Sequence, residues 1–423
     1  MKILVISNLF PPEFLGGYEL GCAQMTAALR KCGHHVRVAT SASHSGPEDA
    51  ANDVRRVLEL SPIYNVARVA ATEPALRRYF DLLAATVNPM NLHMLGDMIA
   101  DFDPDVIYLW NLLGLGGLGI LELLRRARIP WVWHIMDMVP RQLCLAGGSR
   151  FAHSVCASGI FSSGTYLGCS SRALIENEQD GISLGDDTHL IPNWVATSDR
   201  MRSSAYRAGS HLRIVFAAGL LGPPKGADIL IRVAARLGEL GYANFHIDLF
   251  GREVDGYART LVHEFGVEDK VNLMGISNQE DLLVRYREYD LFAFPTWQRE
   301  PFGFAPLEAA AIGCVPLFTD DCGVSEWLVD NVHCLKAERT VEAFARRIVE
   351  VLDGSVDLVE IGARAQAVIH RDFHIDAIAP VVEQHLLARA RAAPPRRRVG
   401  PDFHKLVRFA EGLLPALLAE AEF

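Results

Sequence analysis

The sequence predicts an α/β protein of two doubly wound domains, each built on a parallel sheet with helices on both faces. At 423 residues the chain is longer than a usual single domain, and half of its residues are hydrophobic, which suffices for two cores. Short, continuously apolar segments alternate with helical segments along most of the chain. Strands of that kind are typical of parallel sheets, which are buried on both faces.

The first domain is predicted to span residues 1–195. Within it, residues 42–100 show few strand-like segments and are expected to form a partly helical insertion, with helices at 54–60 and 74–85. The remaining elements alternate regularly. Strands are predicted at 3–7, 36–39, 106–110, 131–134, 166–169 and 188–191, and helices at 19–31, 118–128 and 172–179.

A polar stretch at residues 194–210 precedes a second series of elements, so a second domain is predicted over residues 196–370. A helix over 371–393 is expected to pack back on the first domain, and residues 394–423 form a tail. In the second domain, strands are predicted at 213–217, 245–250, 271–274, 291–294 and 315–318, and helices at 228–240, 257–265, 279–286 and 306–312.

Doubly wound sheets bind their ligands beyond the carboxyl ends of their strands. If the two predicted sheets face each other, those ends line a cleft between the domains. We therefore expect the functional site in this interdomain cleft, and the segments that directly follow strands are the candidates for it.

The composition argues against several functional classes. The formal net charge of −10 speaks against a nucleic-acid-binding surface, which needs a basic face. The apolar run after Met1 is too short for a signal peptide, and residues 112–124 contain several glycines and Glu122, unlike a membrane span. The eight cysteines lack any C-x-x-C pair, which is typical of free thiols in a reducing compartment. We expect a cytoplasmic protein.

The most informative segment is residues 299–311, with the sequence REPFGFAPLEAAA. It follows a predicted strand, contains a turn with proline and glycine, and opens a helix at about Phe304. Backbone N–H groups at a helix start carry partial positive charge and can bind an anion. Glu300 in the turn and Glu308 in the helix would then accept hydrogen bonds from hydroxyl groups. Taken alone, the pattern fits a plain helix start with a solvated Glu300 equally well.

Glycine-containing loops also follow the first strand of each domain. In the first domain, Gly16 and Gly17 let the backbone approach a ligand closely and leave the amides of the helix start free for it. In the second, residues 219–226 have the sequence GLLGPPKG and contain Lys225. With the segment around Glu300 and Glu308, these loops resemble the motifs of the group 1 (family 4) retaining glycosyltransferases with the GT-B fold. The resemblance covers Met1 to about Leu387, with the motifs in the same order.

The resemblance implies a role for each site residue of the second domain. Glu300 binds hydroxyl groups of the donor sugar, and Glu308 holds the ribose of the nucleotide. Lys225 compensates the diphosphate, because bond breaking places negative charge on the leaving phosphate oxygen. The backbone of the turn holds the sugar and the phosphate, at Phe302, Gly303 and Phe304.

The resemblance also implies roles for residues elsewhere in the chain. Gly16 and Gly17 contact the diphosphate or the acceptor. His134, at the tip of the predicted strand 131–134, contacts the donor sugar, and Asn111 contacts the acceptor. Met274 lies beside the base, which backbone groups would recognise, so this position does not distinguish UDP from GDP or ADP.

One departure from the family pattern concerns the diphosphate. Relatives usually carry an arginine beside the glycine of the lysine loop, whereas this chain has Leu220. Two cations commonly share the diphosphate, and only Lys225 is evident here. Either another residue substitutes for the arginine, or the transition state is stabilised less strongly.

Two further motifs resemble ligand-binding patterns, but their places in the chain favour a structural role. Residues 114–119 satisfy G-x-G-x-x-G, but they lie several residues beyond their strand and outside the first βαβ unit, so close helix–sheet packing is favoured over nicotinamide binding. Asp101 and Asp103 spell D-x-D, but they precede a strand and therefore lie away from the crevice. No metal site is predicted.

The predicted function is metal-independent, retaining transfer of a sugar from a nucleotide-diphosphate sugar, used as a substrate without any cofactor. The acceptor is an unidentified hydroxyl on a glycan, a lipid, a metabolite or a protein. The alternatives are an epimerase or hydrolase on the same fold, and a non-catalytic nucleotide-sugar-binding module. The tail, which contains Arg396, Arg397 and Arg398, could contact an anionic membrane at the inner face or a partner helix.

Overall fold

The computed structural model describes residues 1–41, 52–61, 86–145, 153, 155–196 and 206–395. The chain divides into two compact units, one formed by Met1–Ile191 with the segment from Ala379 onward, the other by Pro192–Ile378. Each unit is built on one parallel sheet with helical connections, which confirms the predicted fold class. The predicted helix at 74–85, the linker residues 197–199 and the basic residues of the tail lie outside the described residues.

The sheet of the first unit has the order β3-β2-β1-β4-β5-β6-β7 over the described residues. All of its registered pairs are parallel. Apart from the exposed Lys2 at the start of β1, the central strands β1 and β4 are apolar and buried, as expected for a sheet covered on both faces. The strands are β1 (Lys2–Ile6), β2 (His35–Ser41), β3 (Val54–Leu58), β4 (Val106–Leu109), β5 (Trp131–Ile135), β6 (Thr165–Gly168) and β7 (Thr188–Leu190).

Helices connect these strands and cover the sheet. Large aromatic side chains fill the core beneath them, including Trp131, Trp133 and Tyr166, each with no exposed surface. The helices are α1 (Gly17–Lys31), α2 (Pro89–Phe102), α3 (Gly117–Ala127), α4 (Val139–Leu145) and α5 (Ser171–Asn177).

The helix predicted at 54–60 is wrong, because residues 54–58 form β3 instead. The spacing of the apolar residues Val54, Val57 and Leu58 also fits one helix face. In the structure, Val38 pairs with Val54 and Ser41 with Leu58, so this segment extends the sheet at its edge. Pairing with β2, together with the β-branched Val54 and Val57, favours the strand.

The second unit has a six-stranded sheet of order β10-β9-β8-β11-β12-β13 over the described residues. The strands are β8 (Leu212–Leu221), β9 (Phe245–Glu253), β10 (Val271–Gly275), β11 (Leu291–Phe294), β12 (Val315–Thr319) and β13 (Leu335–Ala337). The helices are α6 (Ala227–Glu239), α7 (Tyr257–Glu264), α8 (Gln279–Arg285), α9 (Ala305–Ala311), α10 (Val341–Leu352), α11 (Leu358–Asp372) and α12 (Ile375–Arg391).

Side-chain caps start several of these helices where the sequence places Asn, Asp or Thr. Asn278 accepts a hydrogen bond from the N–H of Asp281, and Thr340 accepts one from that of Ala343. Asp357 accepts from two N–H groups at the start of α11. Each cap satisfies a backbone donor that has no partner within its own helix.

Helix α12 begins in the second unit and ends in the first. It starts at Ile375 rather than at 371, because residues 371 and 372 belong to α11. Three side chains from its later part, which belongs to the first unit, contact other residues of that same unit. Glu383 is 2.7 Å from His34 Nε2, the rings of His385 and His189 are 4.2 Å apart, and Arg389 donates to the carbonyl oxygen of Ser163.

Candidate functional site

A direct contact between Lys225 and Glu300 lies at the centre of the second unit's candidate site. Lys225 follows β8, and Glu300 follows β11. Because β8 and β11 are neighbouring parallel strands, their carboxyl ends meet at one edge of the sheet. There the Lys225 ammonium group donates a hydrogen bond to Glu300 Oε2. Two predicted site residues, far apart in sequence, thus form one ion pair.

The surrounding loop fixes the position of Glu300. Only 5% of the residue is exposed. The buried hydroxyl of Thr296 donates to the same Oε2 atom at 3.1 Å. The backbone N–H of Glu300 donates to the carbonyl of Trp297 at 3.1 Å, and its own carbonyl accepts from Gly323 at 3.0 Å. The carboxylate is therefore held rigidly, whereas the Lys225 side chain remains 38% exposed.

Arg339 ties the two loops together, a role that the sequence did not reveal. Its Nε donates to the carbonyl of Pro295 at 3.0 Å, and its guanidinium also donates to the carbonyl of Pro223. The backbone N–H of Trp297 donates to Pro224 O at 2.9 Å. No local pattern around residue 339 could have shown this, because the contacts depend on tertiary structure.

Gly226, the residue after Lys225, is required by the same close approach. Its φ is +84°, a left-handed conformation that side chains rarely adopt. A Cβ atom there would lie 2.1 Å from the carbonyl oxygen of Pro295. The glycine therefore lets the lysine loop pack directly against the loop that carries Glu300.

Glu308 lies on α9, with 8% of its surface exposed. Its Oε1 accepts a hydrogen bond from the side-chain amide of Gln279, at the start of α8. Burial raises the pKa of Glu308 above its ordinary value, and the Gln279 hydrogen bond opposes this only in part. Glu308 is thus an enclosed carboxyl group with a single side-chain partner among the described residues, able to accept further hydrogen bonds.

The turn between Glu300 and α9 has the form that the sequence predicted. The helix begins at Ala305 and contains Pro306 in its first turn, which suits a residue without an N–H donor. Gly303 has a φ of +93°. Phe302 is buried, with 1% of its surface exposed, whereas Phe304 is partly exposed and occupies the N-cap position without a side-chain hydrogen bond.

Met274, predicted to lie beside the base, stands near the carboxyl end of β10. It is 40% exposed, and Ile276, two residues later, is 69% exposed. Both side chains are large and apolar, and both are open to solvent. The strand end therefore presents an apolar surface that an aromatic base could cover.

In the first unit, Gly16 and Gly17 begin α1, and the carboxylate of Glu19 closes the loop before it. Glu19 Oε2 accepts hydrogen bonds from the N–H groups of Leu15 and Gly16, at 3.2 and 3.1 Å. Only 3% of Glu19 is exposed. This carboxylate accepts the hydrogen bond of the Gly16 N–H at the helix start. The sequence had predicted that this N–H is free for a ligand.

Asn111 lies beside Glu19, at the start of α1. Its side-chain amide donates to Glu19 Oε1 at 3.2 Å, while its Oδ1 accepts from the N–H of Leu113 at 3.1 Å. The Asn111 carbonyl accepts from the N–H of Asn8, after β1, at 2.7 Å. Residues that follow β1 and β4 thus form one hydrogen-bonded cluster with the start of α1.

His134 lies in the interior of the first unit, with no exposed surface. Its ring stacks on that of Trp110 at 4.7 Å, and Nδ1 is 2.7 Å from the Tyr108 hydroxyl. The hydroxyl of Tyr18 donates to the His134 carbonyl at 2.5 Å. Burial lowers the pKa of His134 to about 3, so the imidazole is neutral at ordinary pH. In this arrangement its ring does not reach a surface that a sugar could contact.

The G-x-G-x-x-G motif at residues 114–119 and the D-x-D motif at Asp101 and Asp103 are both engaged in contacts within the fold. A Cβ at Gly116 would lie 2.3 Å from the backbone nitrogen of Asn88, so this glycine permits close packing of α3. Asp101 pairs with Arg37 at 2.7 Å, and Asp103 forms the end cap of α2. All eight cysteines lie within the described residues, and none of them forms a disulfide there.

Among the described residues, no group of three or more His, Cys, Asp or Glu side chains is arranged to hold a metal ion. Over the same part of the chain, every helix is too short or too polar to span a bilayer.

Two protein-family models match the chain. The model described as glycosyl transferases group 1 matches residues 204–368, and the model described as glycosyl transferase 4-like domain matches residues 16–194. The first contains Lys225, Glu300 and Glu308, and the second contains Asn111 and His134. Together they cover the strands of both sheets apart from β1.

Curated relatives match over shorter or more divergent segments. Mannosylfructose-phosphate synthase of Agrobacterium fabrum is 32% identical over 161 residues, 36% of this chain and 35% of that protein. D-inositol 3-phosphate glycosyltransferase of Mycolicibacterium smegmatis is 34% identical over 155 residues, 33% of each. The chain thus spans about a third of the length of these two relatives. An uncharacterized glycosyltransferase of Methanocaldococcus jannaschii is 23% identical over 350 residues, 79% of this chain and 84% of that protein.

Solved structures resemble the chain over nearly its whole length. Sucrose-phosphate synthase from Thermosynechococcus elongatus has a TM-score of 0.71 at 18% identity, covering 93% of this chain and all of that one. HepE of Anabaena, solved with UDP and glucose, has a TM-score of 0.65 at 18% identity and covers 92% and 100%. WaaG, a glycosyltransferase of lipopolysaccharide biosynthesis, has a TM-score of 0.58 at 16% identity and covers 91% and 99%. At these identities the likeness shows the fold, which confirms the two Rossmann-like domains of the GT-B class.

Proposed function

Because this chain belongs to the group 1, family 4-like glycosyltransferases, we infer that it transfers a sugar from a nucleotide-diphosphate sugar to a hydroxyl group. The acceptor is a hydroxyl of a glycan, a lipid, a small metabolite or a protein. Transfer retains the anomeric configuration and uses no metal ion. The second unit binds the donor, Gly16 and Gly17 of the first unit contact the diphosphate or the acceptor, and Asn111 contacts the acceptor.

The ion pair between Lys225 and Glu300 carries this proposal. It places a cation and a hydrogen-bond acceptor together at the carboxyl ends of parallel strands, where α/β sheets bind ligands. The lysine matches a diphosphate, and the rigid carboxylate matches sugar hydroxyls. Glu308, enclosed on α9 with Gln279, supplies a second acceptor for the ribose. HepE of Anabaena, with the same fold, was solved with UDP and with UDP-glucose, which supports a nucleotide-sugar donor.

The proposed chemistry follows from where charge develops. As the bond between the anomeric carbon and the diphosphate oxygen breaks, negative charge grows on that oxygen. Lys225, held by Glu300 yet partly exposed, stabilises this charge. The acceptor hydroxyl attacks the same face of the sugar and passes its proton to the departing phosphate oxygen. Glu300 orients the sugar through its hydroxyl groups.

In this proposal His134 does not contact the sugar and instead helps to position the start of α1. Its ring is enclosed by Trp110 and Tyr108, and its carbonyl accepts from Tyr18, next to Gly17. The histidine thus supports the start of α1 from within. An acid–base role would require an imidazole that titrates near neutral pH, and burial opposes this.

The first experiment identifies the donor and tests the site. A thermal-shift series with UDP, GDP, ADP and their glucose and mannose conjugates selects the base, and turnover is then followed with acceptor extracts. We expect Glu300→Gln and Lys225→Ala to lower turnover by about 100-fold. Arg236→Ala, which removes a surface cation on α6 paired with Glu239, is the matched control and should behave as wild type.

The outcomes separate the competing functions. Product released from the donor without any acceptor would indicate an epimerase or hydrolase. Nucleotide binding without turnover would indicate a non-catalytic module. Turnover that both site variants leave unchanged would contradict the site itself. Proton NMR of the product tests retention, and turnover after EDTA treatment tests metal independence.

A further inference from the structure

We propose that Arg252 supplies the second cation at the donor diphosphate, in place of the arginine that Leu220 replaces. This inference rests on the proposed function and adds a residue to its site. Lys225 is already paired with Glu300, so those two side chains together carry no net charge. A diphosphate carries at least two negative charges, so binding it calls for a further donor from nearby.

The register of β8 and β9 places Arg252 beside Leu220, the position at which relatives usually carry an arginine. In the β8–β9 ladder, Leu220 pairs with Arg252 and Leu221 pairs with Glu253. A register shift between Ala217 and Leu220 sets this pairing. Neighbouring strands lie about 4.8 Å apart, and paired residues project from the same face of the sheet. The Arg252 side chain therefore starts on the same face of the sheet as an arginine at position 220 would, and at the same point along the paired strands.

The adjacent side chain does not neutralise Arg252. Successive residues of a strand point to opposite faces, so Glu253 points away from it. The Glu253 carboxylate is occupied by Arg259, whose backbone N–H and guanidinium donate to it at 2.8 and 3.1 Å. Arg252 itself is exposed and forms no ion pair within the described part of the chain. Its guanidinium is available for an anion.

Other basic residues near the loop are less suited to this role. Arg339 donates to the carbonyl groups of Pro295 and Pro223, which fixes its guanidinium between two loops. Leu220 is 51% exposed, so its face of the sheet is open to a ligand. An arginine is also the better donor here, because its planar fork can donate two hydrogen bonds to one phosphate.

The test compares Arg252→Ala with Arg259→Ala, which removes an equally basic side chain from α7, 76% exposed. Binding of UDP, GDP and ADP is measured by calorimetry, and turnover is measured with the best nucleotide sugar. We expect Arg252→Ala to weaken diphosphate binding about tenfold and turnover by about tenfold to 100-fold. Arg259→Ala should leave both within twofold of wild type. Melting temperatures show that each variant is folded.

A rescue experiment distinguishes a phosphate contact from a general charge effect. Leu220→Arg, which restores the family's usual residue, should recover most of the loss when combined with Arg252→Ala. It should add little to the wild type. Arg252→Ala that binds diphosphate as tightly as wild type, or a double variant that recovers nothing, would overturn the inference. If the wild type binds none of the three diphosphates, the proposed function fails instead.

Discussion

The ammonium group of Lys225 donates directly to the carboxylate of Glu300, across 75 residues of sequence. The contact joins the loop after β8 to the loop after β11, so each residue positions the other before any ligand binds. A site organised in this way avoids reorganisation when charge develops on the leaving group. The buried Thr296 hydroxyl donates to the same carboxylate oxygen, which makes the carboxylate the fixed partner and the lysine the adjustable one.

Replacing Lys225 with arginine should preserve part of the activity that Lys225→Met removes. Arginine keeps the positive charge for the diphosphate, although its planar fork fits the space of an ammonium group imperfectly. We expect kcat to fall about tenfold for Lys225→Arg and about 100-fold for Lys225→Met. Steady-state kinetics with the donor identified above measure both. Equal kcat values for the two variants would show that charge is not what Lys225 contributes.

Gly226→Ala should disrupt the lysine loop far more than Gly209→Ala does. Both glycines have left-handed φ angles, +84° and +83°, but a Cβ at position 209 meets nothing within 4 Å. The pair therefore separates backbone strain from the clash with the Pro295 carbonyl. We expect Gly209→Ala to cost about 1 kcal/mol of unfolding free energy and Gly226→Ala about 3 kcal/mol or more. Urea denaturation of both variants provides the comparison, and similar losses would show that the two loops do not pack closely.

Glu308→Gln should stabilise the protein while weakening donor binding. The folded state raises the pKa of Glu308 by burial, so folding is opposed once the pH rises above the ordinary carboxyl range and the side chain ionises. Glutamine carries no charge and can still accept from Gln279. We expect a melting temperature about 2 °C higher than wild type at pH 8, with a smaller difference at pH 5. The KM for the donor should rise about tenfold.

The control for this variant is Glu239→Gln, which changes a surface carboxylate with 65% side-chain exposure. Its melting temperature should follow that of wild type at both values of pH. A gain in stability that is identical at pH 5 and pH 8 for Glu308→Gln would contradict a role for ionisation.

His134→Gln should alter the pH dependence of stability. Burial lowers the pKa of His134 from 6.5 to about 3, so the unfolded chain binds a proton in this range and the folded protein does not. The stability that His134 contributes is therefore present above pH 6.5 and is lost as the pH falls towards 3, by up to about 1.4 kcal/mol per pH unit. Denaturation at several values of pH should show a shallower acid dependence for the variant. His93→Gln, at an exposed position on α2, should retain the wild-type slope.

Glu19→Ala should loosen the Gly16–Gly17 loop, whereas Glu19→Gln should largely preserve it. The carboxylate accepts from the N–H groups of Leu15 and Gly16 and from the side chain of Asn111. The amide oxygen of glutamine can still accept from both backbone N–H groups, and only the contact with Asn111 loses its acceptor. We expect the Leu15 and Gly16 amides to exchange hydrogen about tenfold faster in Glu19→Ala, a loss of about 1.4 kcal/mol of local protection. Hydrogen-exchange mass spectrometry of peptides from this loop measures it, and unchanged exchange would show that the loop holds without Glu19.

The sequence predicted the two sheets well because their strands are continuously apolar and are separated by helical segments. It failed at residues 54–58, where short-range spacing fitted a helix and pairing with β2 made a strand. It also did not identify β13, α2, α4, α10 or α11. Each of these elements depends on the partner it packs against, which a local pattern does not contain.

For the candidate site, the residue types and their places after strands were evident beforehand, as for Lys225, Glu300 and Glu308. The sequence assigned the Gly16 amide to a ligand, whereas the Glu19 carboxylate already accepts from it. It also expected a sugar contact from His134, at the tip of β5. The structure instead encloses that ring between Trp110 and Tyr108, because side chains of a doubly covered sheet remain buried up to its edge.

By itself, the sequence determined the fold class, the order of the elements and which loops carry charge, since apolar periodicity and loop chemistry are local properties. Only the tertiary structure decided which of those groups meet. The register of neighbouring strands decides that Lys225 pairs with Glu300 and that Arg339 donates to the carbonyl of Pro295. It also decides that Arg252 lies beside Leu220. Register is set by contacts between segments distant in the chain, and no single segment encodes it.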